Sequence, residues 1–85
     1  MTSLEQNLIG YIRKEFLYDR PDLVLEPESS LIESGVVDSL GIFSLVAWLE
    51  EHHGIVVPDT EVVFENFDSV GAIQRMVSRL PVGRD

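Results

Sequence analysis

A serine and two histidines in this 85-residue sequence, Ser39, His52 and His53, raise the question of nucleophilic or acid–base chemistry. Ser39 stands in SGVVDSLGIF, residues 34–43, after a glycine-led turn and before an apolar run. A nucleophilic serine needs a base, an orienting acid and an oxyanion hole. Here the G-x-S-x-G elbow is missing and no strand precedes the serine. The histidines follow near the far end of the same predicted helix, about 20 Å away at 1.5 Å of rise per residue. Ser39 is therefore no member of a triad, and no catalytic residue is assigned. Neighbouring helical residues diverge by about 100°, so His52 and His53 do not pair on one metal either.

Two other roles stay open for Ser39. Its hydroxyl can cap a helix, a role Asp38 fills equally well, leaving Ser39 in the first turn. It can also be an attachment point for a phosphate-linked group, because free amides and the helix dipole favour an anion there. The charge of Asp38 opposes that second reading.

The surrounding elements are helical. Leu4, Leu8, Tyr11, Ile12 and Phe16 share one face of a first helix over residues 3–18. Thr2 and Glu5 fit a capping box at its start, and Arg13 and Lys14 suit its C-terminal dipole. Pro21 breaks the chain. A long connection to Val37 follows, with Leu23, Leu25, Leu31 and Ile32 directed to the core and Ser30 and Glu33 capping a brief turn. The second helix, Ser39 to His53, is apolar almost all round, so it is either central or faces a partner. Gly54 ends it. Ile55-Val56-Val57 has no strand to pair with and reads as extended loop. A short helix from Pro58-Asp59 to Phe64 and a last helix carrying Val70, Ile73, Val77 and Leu80 complete the chain. Arg75 and Arg79 suit the last helix's dipole, and Leu80-Pro81 stops it.

Composition narrows the function classes. The length makes one small domain, residues 1–81, with 82–85 as a tail. There is no cysteine, which excludes a disulfide framework and a thiolate metal site. No apolar run is long enough for a membrane span, and the first residues lack the form of a signal peptide, so a cytoplasmic monomer is expected. The net charge is −9, and no Lys or Arg occurs between Arg20 and Arg75. That field repels nucleic acid and steers basic protein surfaces, although it also serves plain solubility.

The stretch LIESGVVDSL, residues 31–40, resembles the phosphopantetheine attachment motif of acyl and peptidyl carrier proteins, centred on Asp38-Ser39-Leu40. The likeness continues through Leu49-Glu50-Glu51, Val57-Pro58-Asp59 and Glu65-Asn66-Phe67-Asp68-Ser69, in order over nearly the whole chain. It implies an all-α, four-helix carrier fold of three main helices, one short helix and a long first loop, without catalysis of its own. It also implies a 4′-phosphopantetheine cofactor, moved from coenzyme A to Ser39 by a phosphopantetheinyl transferase. The arm's thiol holds cargo as a thioester, which supplies the thiol that the chain lacks. Further implied partners are a loading ligase or acyltransferase, and a downstream synthase or transferase with a basic contact surface. Contacts to them are expected from Leu40, Phe43, Ala47, Glu50, Glu51, Glu61 and Phe64, with Asp38 a further candidate for a salt bridge. For Phe43 core packing is an equal alternative, and for the acids plain solvation.

The sequence also departs from its relatives. Gly41 and Ser44 stand where carriers of fatty acid synthesis place acids. Phe64 replaces a polar residue or proline and, with Val62 and Val63, suggests a partner-specific patch. His53 replaces an aromatic and is expected to be buried or half-buried. The pattern is closer to discrete carriers of amino acids or specialised acyl chains, as in polyketide, nonribosomal peptide or hybrid antibiotic pathways. The rival readings are an unmodified interaction module of the same fold and a carrier of fatty acid or D-alanine transfer.

Overall fold

The computed structural model describes residues 4–20 and 22–80. Helix α1, Leu4–Phe16, buries Leu8 and Ile12 and keeps Arg13 and Lys14 in its last turn. It stops two residues short of the span expected from periodicity, although Leu17 stays buried and its N–H still reaches the Arg13 carbonyl at 3.2 Å. Arg13 also donates from Nη1 to the Leu23 carbonyl at 2.8 Å, tying the start of the long loop to α1. Thr2 of the expected capping box and Pro81 lie outside the described residues.

The loop over residues 22–38 is fastened rather than free. Leu31 and Val37 are its buried anchors, and the Val37 N–H donates to the Leu31 carbonyl. Asp68, just ahead of the last helix, holds the loop from the other side. Its carboxylate accepts from the Ser30 hydroxyl at 2.7 Å and the Ile32 N–H at 3.3 Å, and its carbonyl accepts from the Leu31 N–H. Ser30 also accepts from the Glu33 N–H, the turn cap its position implied. Gly35, at φ 80°, supplies the left-handed residue that turns the chain back towards Val37. Asp68→Ala, which leaves Ser30 and Ile32 without their acceptor, is expected to cost about 1–2 kcal/mol in urea melts. Ser30→Ala, which removes one donor only, should cost less.

Helix α2 runs Ser39–His53, as its sequence implied. Gly54 closes it at φ 65°, with its N–H on the Glu50 carbonyl. The short helix expected from 58 to 64 is instead two 3-10 helices, Asp59–Glu61 and Phe64–Phe67. The break falls at Val62 and Val63, a β-branched pair with Val63 extended. Asn66 braces it by donating to the Glu61 carbonyl and carboxylate.

Helix α3, Val70–Arg79, is capped by Ser69, whose hydroxyl accepts from the Ala72 N–H at 2.9 Å. It buries Val70, Ile73 and Met76, while Val77 and Leu80 are half-buried. Beyond any dipole role, its arginines reach acids elsewhere in the chain: Arg75 reaches Glu28 and Arg79 reaches Glu61. No described helix is long and apolar enough to cross a membrane. The architecture is therefore all-α, three helices joined by a latched loop and two 3-10 turns. Leu45, Leu49, Phe67, Ile73 and Met76 form the centre of its core.

An aromatic stack joins α1 to α2. Tyr11 lies flat on Trp48, with ring centroids 4.8 Å apart, and His53 meets the Trp48 edge at 4.9 Å. His53 is half-buried, as expected. Burial, and then the negative fields of Glu15 and Glu51, push the Tyr11 phenol above its ordinary pKa. The folded state thus keeps a proton that the unfolded chain loses above its ordinary value of about 10, so this group's contribution declines as pH rises beyond that point. In a Tyr18→Phe background, absorbance titration of Tyr11 should midpoint above that value, and Glu15→Gln should lower it.

Candidate functional site

The start of α2 carries the site. Asp38 is extended (φ −120°, ψ −167°), and its carboxylate accepts from the Gly41 N–H at 2.9 Å. Its carbonyl accepts from the Ile42 N–H, the first rung of the helix. The cap is therefore Asp38 and not Ser39. Either residue type serves, and the chain places the aspartate at the position where an oxygen faces the free amides. Ser39 is left as the first helical residue, exposed, with no hydrogen-bond partner for its hydroxyl among the described residues. Asp38→Ala should cost about 1 kcal/mol in a denaturant melt without removing the Ser39 hydroxyl.

Gly41 has a tertiary cause that the sequence did not reveal. A Cβ there would lie 3.0 Å from the Phe16 ring and 3.1 Å from a Val37 methyl. Phe16 at the end of α1 and Val37 approach Gly41 closely, so a larger residue there requires both side chains to give way slightly. Ser44 at the second such position is exposed, and its backbone carbonyl accepts from the Tyr11 hydroxyl at 3.4 Å.

The expected contact residues divide. Leu40 (74% exposed) and Phe43 (62%) both point outward, which settles Phe43 as surface rather than core. Ala47, Glu50 and Glu51 are exposed on the same helix. Phe64 is 54% exposed, whereas Val62 packs partly on the core. Glu61 is held within the chain: its carboxylate accepts from Arg79 Nη2 at 2.9 Å and from Asn66 at 3.0 Å. Asp38 is likewise held by capping. The acids that α2 presents freely are thus Glu50 and Glu51, about 16–18 Å along the helix from Ser39.

Two concavities flank α2. A groove of about 340 Å³ opens on Ser39, lined by Ile42, Phe43, Val62, Val63 and Phe64. A larger cleft of about 520 Å³ lies between α1 and the C-terminal half of α2, with Tyr11, Trp48 and both histidines on its walls. Trp48 is nine residues from Ser39, about 180° around the helix, so the larger cleft does not serve the serine. Among the described residues no group of His, Asp and Glu is placed to hold a metal.

Residues 7–77 match the family described as the phosphopantetheine attachment site. A probable acyl carrier protein, PigG, from a Serratia species is 34% identical over 77 residues, 91% of this chain and 87% of that protein. Aminoacyl carrier protein 2 of Bradyrhizobium diazoefficiens is 27% identical over 75 residues, 88% of this chain and 83% of that one. Among solved structures, a chain in a crystal structure described as an FAD-dependent dehydrogenase superposes with a TM-score of 0.71 at 26% identity. The match covers 84% of this chain and 99% of that one. A chain in the Bradyrhizobium japonicum glycine:[carrier protein] ligase complexed with glycylated carrier protein shares the fold. Its TM-score is 0.62 at 22% identity, covering 87% of this chain and 99% of that one. An all-α domain with this motif, matched over most of its length, belongs to the phosphopantetheine-dependent carrier protein family, whose members carry bound groups and do not themselves catalyse.

Proposed function

We propose that Ser39 is the residue that receives the 4′-phosphopantetheine arm. The observation that carries this is the exposed, unpartnered hydroxyl at the first turn of α2, with the capping duty taken by Asp38. In the transfer the serine oxygen bonds the arm's phosphorus. The phosphoanhydride bond to the rest of coenzyme A breaks, and the hydroxyl proton leaves with the departing nucleotide or to solvent. The terminal thiol then holds cargo as a thioester. Tethering replaces diffusion with a high effective concentration at each partner's active site.

The cargo is an acyl or aminoacyl group, and the setting is a cytoplasmic pathway of specialised products, of the polyketide or hybrid peptide–polyketide type. Likeness to an aminoacyl carrier supports the aminoacyl option. The tight approach of Phe16 and Val37 to Gly41, which leaves little space for an acid at position 41, supports a partner set different from that of fatty acid synthesis. The loading ligase or acyltransferase and the downstream enzyme meet an apolar rim of Leu40, Phe43 and Ala47 around Ser39, with Glu50 and Glu51 steering basic groups farther along α2. Phe43→Ser is expected to lower the loading enzyme's kcat/KM about tenfold at any salt concentration. Glu50→Gln with Glu51→Gln should instead flatten its salt dependence.

Incubating the apo protein with coenzyme A and a broad-specificity phosphopantetheinyl transferase tests the assignment. Intact mass should rise by one phosphopantetheine group. An unchanged mass would make the chain an unmodified interaction module of the carrier fold.

A further inference from the structure

The larger of the two clefts lies away from the serine, and Gly10 shapes it. Its volume of about 520 Å³ is bounded by α1 on one side and by Trp48, His52 and His53 on the other. That is within the size range of binding sites. Gly10 sits in the middle of α1, where glycine weakens a helix relative to alanine. Among the described residues nothing accounts for that loss. The residue is helical rather than left-handed, and a Cβ built on it would meet no atom within 4 Å. Gln6 stands one turn before it and Lys14 one turn after, both on the cleft wall. Gly10 is therefore a gap in a row of side chains, through which an outside group can approach the backbone of α1.

The walls select the group. Tyr11 and Trp48 are stacked at 4.8 Å between centroids, and His53 and His52 meet Trp48 at 4.9 and 5.9 Å. Glu15, one turn beyond Tyr11, lines the same cleft. Burial first, and then the fields of Glu15 and Glu51, raise the Tyr11 phenol, so both carboxylates make the potential beside the rings negative. The carbonyl end of the α2 dipole lies at the histidines and has the same sign. Lys14 is a fixed cation on the wall, outnumbered by the two acids, while Arg13 is drawn off to the Leu23 carbonyl. Aromatic faces beside carboxylates favour a guanidinium, which stacks on rings and forks onto a carboxylate. Gln6 and Asn7 add carboxamides of the kind that pair with peptide groups. Tyrosine and tryptophan are also the residues that most often anchor protein contacts.

We infer that this cleft is a second docking face, which takes an arginine-bearing segment of a partner protein while Ser39 stays free for enzymes. Trp48 lies nine residues from Ser39, about 180° around α2, so a partner seated here leaves the serine end uncovered. The face holds the carrier in a complex while its serine end passes from enzyme to enzyme. The inference does not depend on attachment at Ser39.

The test is NMR of the isotope-labelled full chain with a capped alanine–glycine pentapeptide that bears one central arginine. At about 10 mM peptide the Gly10 amide and the Trp48 indole N–H should shift, while Ile42, Phe43 and Phe64 should not. The same peptide with lysine should bind more weakly, and with citrulline not at all. Glu15→Gln should weaken binding about two- to threefold, and Lys14→Gln should tighten it by a similar factor. Apo and phosphopantetheinylated protein should behave alike.

Gly10→Gln separates the site from the fold. It fills the gap with a better helix former, so the melting temperature should rise by about 3–5 °C while peptide affinity falls about tenfold. Absence of shifts at Gly10 and Trp48, shifts centred on Phe43 and Phe64, or equal binding of the citrulline peptide would each overturn the inference. So would a Gly10→Gln protein that binds as well as the parent. Ethylguanidinium binding as tightly as the peptide would also overturn it, making the cleft a site for small organic cations.

Discussion

Ser39→Ala is expected to abolish phosphopantetheine incorporation completely while leaving the fold in place. The two halves of this expectation have separate causes. Incorporation needs the oxygen, and no other side chain at the start of α2 offers an unpartnered hydroxyl in the first turn. The fold does not need it, because Asp38 rather than Ser39 satisfies the Gly41 amide. Alanine is also the best helix former, so the first turn loses nothing in propensity. Circular dichroism and the melting temperature should therefore match those of the parent to within about 0.5 kcal/mol, as for surface changes away from a cap. An unfolded Ser39→Ala protein would mean that the serine, and not the aspartate, carries the helix start.

The largest loss of stability is expected from Phe67→Ala. Phe67 ends the second 3-10 helix and is fully buried. Its 3-10 helix packs against both α2 and α3, and the next residue, Asp68, makes the contacts with residues 30–32. Removing a buried phenylalanine ring costs about 3–5 kcal/mol, transfer and cavity terms together. Small domains have only about 5–15 kcal/mol in all. At 4–8 °C per kcal/mol for a domain this size, the melting temperature should fall by more than about 12 °C. Ser39→Ala and Phe67→Ala thus separate function from fold. The first removes the modification and keeps the structure; the second removes stability and leaves the attachment chemistry untouched wherever the chain is still folded. A loss below about 1 kcal/mol for Phe67→Ala would show that the core closes elsewhere.

What could be read from the residues follows the range of the forces involved. Helix α2 was legible to its ends because its signals are local: Asp-Ser at the start, an unbroken apolar run and Gly54 at the close. The attachment motif is local too. Which of Asp38 and Ser39 caps was not legible, since both types serve and the choice depends on backbone angles. The segment 58–64 was misread as one helix because its length and acids allow one. The β-branched Val62–Val63 pair and the Asn66 brace tip it into two 3-10 turns.

The remaining misses are all long-range. Asp68 holds a loop some 36–38 residues earlier in the chain, and nothing near Asp68 announces it. Glu61 looked like a surface acid open to partners, yet Arg79 lies 18 residues on and takes it. Gly41 looked like a missing acid in a recognition code. It also lies close against Phe16 and Val37, a contact that no local pattern announces.

The most direct test of the central claim is tandem mass spectrometry of the wild-type protein after treatment with coenzyme A and the transferase. One phosphopantetheine group is expected, located on Ser39 within the peptide that spans residues 34–43. A group found on any other serine, or no group on this peptide, would contradict it.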